Sequence, residues 1–256
     1  MNPEIISIGN IAVFIANLLL IIAALFNHFK IKRLVIPTFV ISLILFLVFF
    51  GLRAYLKSFF PFTNKTESFI TFTFMLGLLG VFYLKKISSQ ELMILILIAV
   101  IFGFIIFLFE DHIRYPNPYL RTIWYPLHVP ISFLSYSFWT LAAICSLSDI
   151  TKIKSGSFIK RDKGFTTSLN RHGFNLFTLS MVFGGIWGYK SWGAYFLWDP
   201  KLLWSVILWF YYGNLLHIDG LPKFKKYKEI MYFIGFILIL ITFIGTGFFS
   251  RSIHKF

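Results

Sequence analysis

The sequence predicts an all-α integral membrane protein: a polytopic bundle of about eight transmembrane helices with both termini on the outer side. Three observations predict it. Only 13% of the 256 residues are charged and 58% are hydrophobic, against roughly 25% charged in an average soluble domain. A soluble chain of this length needs a charged shell around its core, and here there are too few charges to build one. The apolar residues gather in runs near the ~20-residue length that carries a helix across a hydrocarbon core. Lysine and arginine, finally, are spread unevenly over the segments between those runs.

The runs cover residues 5–26, 34–52, 68–84, 92–109, 129–147, 173–189, 202–216 and 230–249, and none contains Asp, Glu, Lys or Arg. Each reads as a helix, because backbone polar groups in lipid must be satisfied within the segment. The seventh is short and is expected to extend through His217. Fifteen lysines and arginines fall in the odd-numbered connections and nine in the tails and even-numbered ones. That bias puts the odd connections in the cytoplasm. The longest hydrophilic stretches are 149–172 inside and 110–123 outside.

Several function classes lose support at once. A net charge of +14 would suggest nucleic acid in a soluble domain, but in a membrane protein it speaks first of orientation. The one cysteine, Cys145, lies inside an apolar run, so neither a disulfide nor a thiolate metal cluster can be made from it. No acidic pair or lone charge interrupts a span and no Gly-rich phosphate loop is present, which disfavours proton relays and nucleotide hydrolysis. The chain opens Met-Asn-Pro-Glu and runs straight into apolar residues, with neither a basic n-region nor a small-residue cleavage site, so no removable signal peptide is expected. Without a second domain or an internal repeat, residues 1–256 read as a single polytopic domain.

Histidine and tryptophan remain as carriers of chemistry. His28 and His172 lie beside basic residues and His112 follows Glu110-Asp111; all three read as solvated surface histidines. His128 stands in Trp124-Tyr-Pro-Leu-His-Val-Pro130 at the outer entrance of the fifth span, His254 just beyond the eighth on the same side, and His217 at the inner end of the seventh. A histidine at an interface is often an amphipathic anchor. Two on one face, at the ends of different helices, can instead supply two axial imidazoles to one flat macrocycle. Between them runs an aromatic stretch, 187–204, with Trp187, Trp192, Tyr195, Phe196, Trp198 and Trp204 interspersed with Gly188 and Gly193. Tryptophan and tyrosine gather at membrane interfaces without any ligand, while glycines among large rings let a flat ligand approach the backbone. Both readings stay open on these residues alone. Asp199-Pro200 is a helix start, with Asp as N-cap and Pro at the first helical position.

At this stretch the sequence resembles a family. Trp192-Gly-Ala-Tyr-Phe-Leu-Trp198-Asp199-Pro200-Lys201, followed by Trp204, is similar to the tryptophan-rich "WWD" signature of haem-handling proteins. Within that superfamily it is most similar to the CcsA/ResC-type subunit of system II cytochrome c synthases. Leu127-His128-Val129 with Leu134-Ser135-Tyr136 is similar to the segment after that family's central outer loop, and Thr66-Glu67-Ser68 resembles its Tyr-Glu-Ser element. The likeness covers about 66–256, while the first two spans agree in number only. Two positions depart from the pattern: Phe196 replaces the motif's central tryptophan, keeping a stacking face but losing an N–H donor, and Leu202-Leu203 replaces its Glu-Thr.

The resemblance implies a cytochrome c synthase (haem lyase) subunit, active with a ResB-type partner. It would move haem b, its substrate, across the membrane and present it outside for thioether attachment to the CxxCH motif of apocytochrome c. His128 and His254 would be axial ligands, His217 a ligand on the path from the cytoplasm, and Trp187, Trp192, Tyr195, Phe196 and Trp198 a platform for the macrocycle. Asp199 would fix the loop to the seventh helix. The membrane would be a bacterial cytoplasmic (inner) membrane or a thylakoid. A CcmC-type haem-delivery protein shares the tryptophan motif, but six spans are expected of it. A cytochrome b-like carrier would need histidines at mid-span, and a transporter or scaffold would need no outer histidine pair.

Overall fold

The computed structural model describes residues 3–108, 113, 115–155 and 164–245, with the side chains of 151–155 and 225 excepted. Among these residues helices dominate and no strand occurs. The helices are α1 (Pro3–His28), α2 (Lys32–Lys57), α3 (Lys65–Phe82), α4 (Ser89–Ile105), α5 (Trp124–Ser155), α6 (Phe165–Trp192), α7 (Pro200–Leu215), α8 (Pro222–Lys225) and α9 (Lys228–Leu240), the last continuing as a π turn over Ile241–Gly245. Six helical segments among the described residues are long and apolar enough to cross a membrane: Pro3–His28, Lys32–Lys57, Lys65–Phe82, Ser89–Leu108, Trp124–Ile150 and Lys228–Gly245. The chain is a multi-pass membrane protein. Its contacts cluster into two compact units, Met1–Pro126 and Leu127–Phe256.

In the first unit α1 packs on α2 and α4, and α3 on α4 and α2. The buried seam of α1 is rich in small residues, Gly9, Ala12, Ala16, Ala23 and Ala24, set beside Val13, Asn17 and Leu20, while Ile8, Ile11, Ile15, Leu18 and Ile22 face outward. Small side chains that let helices approach, with an apolar outer face, suit a lipid surround. Hydroxyls close the seams: Ser42 Oγ donates to Ala16 O at 2.8 Å and Thr73 Oγ1 to Ala99 O at 2.9 Å. Starts are capped, with Asn64 accepting from Glu67 N at 2.8 Å and a full capping box between Ser88 and Glu91 at the head of α4.

Arg53 and Lys57 lie beyond the apolar run 34–52, among the nine charges expected in tails and even-numbered connections, but α2 runs on through them and both are 1% exposed. Partners make this tolerable. The Lys57 ammonium is ion-paired with the buried Glu67 carboxylate and donates to Thr63 Oγ1 at 2.8 Å. Glu67 also accepts from Thr63 N at 2.8 Å. Arg53 donates to Asn10 Oδ1 at 3.3 Å and lies 4.9 Å from the centroid of the Phe49 ring.

In the second unit α5 and α6 extend well past the apolar runs 129–147 and 173–189, so the expected hydrophilic stretch 149–172 is largely helix. Apolarity marks only the part of a helix that lies in hydrocarbon, and the polar ends need no such signal. Trp139 centres this unit. Its indole donates to Asn170 Oδ1 at 3.0 Å, Asn170 Nδ2 donates to Tyr212 O at 3.1 Å, and the Trp139 and Tyr212 rings stack. Gly173 is required at the crossing, because a Cβ there would lie 2.6 Å from Trp139 Cδ1. Trp209 donates to Thr178 Oγ1 at 2.8 Å and Tyr211 to Met231 O at 2.6 Å, tying α7 to α6 and α9. Cys145 is buried in α5.

Candidate functional site

The C-terminal half of α6 organises the site. Residues 180, 184 and 187 recur at helical spacing and therefore share a face. That face meets the start of α5, where Pro126 falls in the first turn and His128 in the second. His128 Nδ1 lies 2.7 Å from the carbonyl oxygen of Ser180 and 2.9 Å from its Oγ. The Ser180 hydroxyl reaches His128 O at 3.0 Å, Ser132 Oγ donates to the same carbonyl at 3.0 Å, and the two serine hydroxyls are in contact. The imidazole is parallel to the Trp187 indole within 14°, with centroids 6.5 Å apart, and Trp187 meets Trp192 edge-on at 4.7 Å.

A backbone carbonyl can only accept, so this hydrogen bond places a proton on Nδ1 of His128, and in the neutral imidazole the lone pair is then on Nε2. This is the tautomer that coordination through Nε2 requires, with the other ring nitrogen donating to a carbonyl.

Beyond α6 the chain turns at Gly193, whose φ of 74° is the left-handed conformation that caps a helix. Its glycine therefore serves the turn. Gly188, expected to let a flat ligand approach, instead receives the loop itself, with Ala194 O only 3.2 Å from where a Cβ would stand. Tyr195 stacks on Tyr189 with centroids 4.5 Å apart, and Phe196 meets Trp198 edge-on at 5.6 Å. The loop ends on Asp199, which is buried and accepts from Lys201 N at 2.9 Å ahead of Pro200, as the N-cap of α7.

Within the second unit, then, the fold sets Trp187 beside His128 and Trp192 beside Trp187, while Tyr195, Phe196, Trp198 and Asp199 follow in the loop that leads into α7. The rings differ in accessibility: Trp187 is 4% exposed and backs His128, whereas Tyr195, Phe196 and Trp198 are open, Trp198 at 85%. His217 is not part of this group. It follows the far end of α7, exposed, just before the short turn Ile218–Gly220, and the 16 residues of α7 put about 24 Å of helix between it and Asp199. His254 lies outside the described residues. Sequence reasoning missed Ser132, Ser180, Gly184 and Tyr189. The Ser180–Gly184 spacing was visible, but serines and glycines are too common in membrane helices to single out.

Among the described residues no group of three or more His, Cys, Asp and Glu could hold a bare metal ion. The arrangement offers one oriented imidazole backed by the Trp187 indole, with open aromatic rings in the loop that follows, which fits a metal that brings most of its own ligands in a planar frame.

Comparison with known proteins decides the family. The family described as Cytochrome C assembly protein matches residues 62–254. The chain belongs to that family. Protein NrfI of Wolinella succinogenes is 30% identical over 217 residues, covering 80% of this chain and 24% of the relative. The cytochrome c biogenesis protein CcsA of Cyanidium caldarium is 24% identical over 227 residues, covering 73% and 78%. That of Cyanophora paradoxa is 21% identical, covering 95% and 93%. Among solved structures, the cytochrome c haem lyase CcmF shares the fold, with a TM-score of 0.72 over 98% of this chain and 48% of CcmF at 17% identity. The chain thus spans about a quarter of NrfI, about half of CcmF and most of the CcsA proteins. Its role lies in cytochrome c biogenesis.

Proposed function

We propose that the chain is the CcsA-type subunit of a system II cytochrome c synthase. In this reading it is one polytopic domain of eight spans, α6 and α7 joining the six apolar segments, with both termini and the loop after α6 on the outer side. Haem b is its substrate, received from the cytoplasmic side by way of His217 and held outside between His128 and His254. Tyr195, Phe196, Trp192 and Trp198 support the macrocycle, and Trp187 and Asp199 fix the frame around it.

A ResB-type subunit and apocytochrome c are its partners, in a bacterial inner membrane or a thylakoid. In the reaction each thiol of the CxxCH motif adds across one vinyl group, sulfur bonding to one carbon and hydrogen to the other. The porphyrin supplies that reactivity, and the protein supplies ligation and position. Two axial imidazoles would grip the iron from both faces and leave the vinyl edge open.

The single observation that carries the reading is His128, with its Nδ1 on the Ser180 carbonyl and its ring parallel to Trp187 in the last turns of α6, just ahead of the WWD-like segment. The test is haem per protein in the full chain purified with its partner. His128→Gly and His254→Gly should each lower bound haem and stop cytochrome c maturation, and added imidazole should restore part of both by filling the vacant axial position. A double variant with an unchanged haem spectrum and normal maturation overturns the proposal.

A further inference from the structure

The Nδ1 side of His128 is built by a single turn of α6. In an α-helix the Cβ of residue i+4 leans back over the carbonyl of residue i and shields it. At position 184 there is no Cβ, so the Ser180 carbonyl is uncovered. Its oxygen serves the helix ladder with one lone pair and has a second to offer. The imidazole occupies the space thus opened: a Cβ built on Gly184 would lie 2.8 Å from both Cε1 and Nδ1 of His128. The ring is rigid and flat, so it cannot absorb such a contact as a flexible side chain could.

Ser180 is fully buried and Ser132 nearly so. Their hydroxyls converge on the backbone carbonyl of His128, each at 3.0 Å. The same turn therefore fixes both the backbone from which the imidazole springs and the direction in which the ring points. A bulkier residue at 184 would move the ring and cover its acceptor together.

We infer that the Ser180–Gly184 turn of α6 is the positioning device of His128: the Ser180 carbonyl takes the Nδ1 proton, Gly184 makes room for the ring, and Nε2 is left as the coordinating nitrogen. This rests on reading His128 as an iron ligand, and it assigns positioning roles to two residues outside the aromatic signature. An imidazole held by a carbonyl on one nitrogen is oriented before its metal arrives and is made a stronger donor by that bond.

The tautomer can be read directly, without haem. The full chain, labelled with 15N-histidine and held in lipid nanodiscs, should show for His128 a protonated Nδ1 and an unprotonated Nε2, with assignment from the signal lost in His128→Gly. Gly184→Ala should give mixed tautomers and bind added haemin several-fold less. Gly185→Ala adds the same methyl one residue along, where the nearest atom is 3.7 Å away, and should leave both readouts unchanged. A protonated Nε2 in the unaltered chain overturns the inference, as does a folded Gly184→Ala with the parental tautomer. Should Gly184→Ala fail to accumulate, the tautomer of the unaltered chain decides alone. A His128→Gly chain that binds haemin as well as the parent overturns the ligand reading instead, so the two failures are told apart.

Discussion

Trp139 and Tyr212 stack with centroids 3.8 Å apart and planes within 3° of parallel, so that α5 and α7 meet through two large rings with no exposed surface. Asn170 of α6 ties the pair together, accepting from the indole and donating to the Tyr212 carbonyl. Trp139→Ala is therefore expected to cost about 3–5 kcal/mol, as large-to-small changes at aromatic core positions do. The Tyr212 hydroxyl, by contrast, is buried with no hydrogen-bond partner among the described residues. Tyr212→Phe keeps the stack and removes that orphan, so it should be neutral or stabilise by up to about 1 kcal/mol. Thermal unfolding of the purified chain in detergent checks both; a strongly destabilised Tyr212→Phe would show that the hydroxyl is bonded after all.

The Lys57–Glu67 pair gives a second expectation. Both side chains are at most 1% exposed, and removing one partner of a buried pair leaves an uncompensated charge, at about 3–5 kcal/mol. Glu67→Ala should sit at the upper end, since it also deprives Thr63 N of its acceptor. Replacing both, as Lys57→Met with Glu67→Leu, should recover much of the loss. A double-variant cycle with no coupling would mean that the pair contributes nothing as a pair.

These two clusters also show what the sequence could and could not reveal. Asp199 was legible as a helix start because capping is local chemistry: an acceptor, a proline and the helix that follows. The bundle was legible because apolar runs report their own burial in lipid. The ends of α2, α5 and α6 were not, because a helix leaving hydrocarbon carries no apolarity. Arg53 and Lys57 looked like loop charges for the same reason, and partners outside α2, among them Asn10, Thr63 and Glu67, account for their burial. His128 was legible as a candidate from its motif. Its surroundings were not, since the carbonyl that orients it belongs to a serine 52 residues away and backbone groups leave no mark on composition.

Sidedness yields a third prediction. Fifteen lysines and arginines against nine predict that reporters after Lys163 and Lys225 are cytoplasmic and that one at Phe256 is external. A cytoplasmic reporter at Phe256 would put His254 on the wrong side to share an iron with His128, and the two-imidazole arrangement would have to be abandoned.

The aromatic stretch 187–204, from the end of α6 into the loop after it, provides the sharpest contrast, because its rings stand in such different surroundings. Trp187 is 4% exposed and packed against His128 and Trp192, whereas Trp198 is 85% exposed and meets only Phe196 among its described ring contacts. An anchor in the membrane interface tolerates exchange of one ring for another, at about 1 kcal/mol or less in a chain with many anchors. A haem platform does not, since ring area sets how the macrocycle lies. Trp198→Ala should leave abundance nearly unchanged and strongly reduce haem per protein. Trp187→Ala should lower both, because it removes a buried ring as well as the wall beside His128. Asp199→Ala should reduce haem with a modest fall in abundance, the lost N-cap being worth about 1 kcal/mol. The measurement is haem per protein at matched expression. If haem falls only in proportion to protein in all three, the loop is an interfacial anchor, and the open rings of Tyr195, Phe196 and Trp198 have no part in holding the substrate.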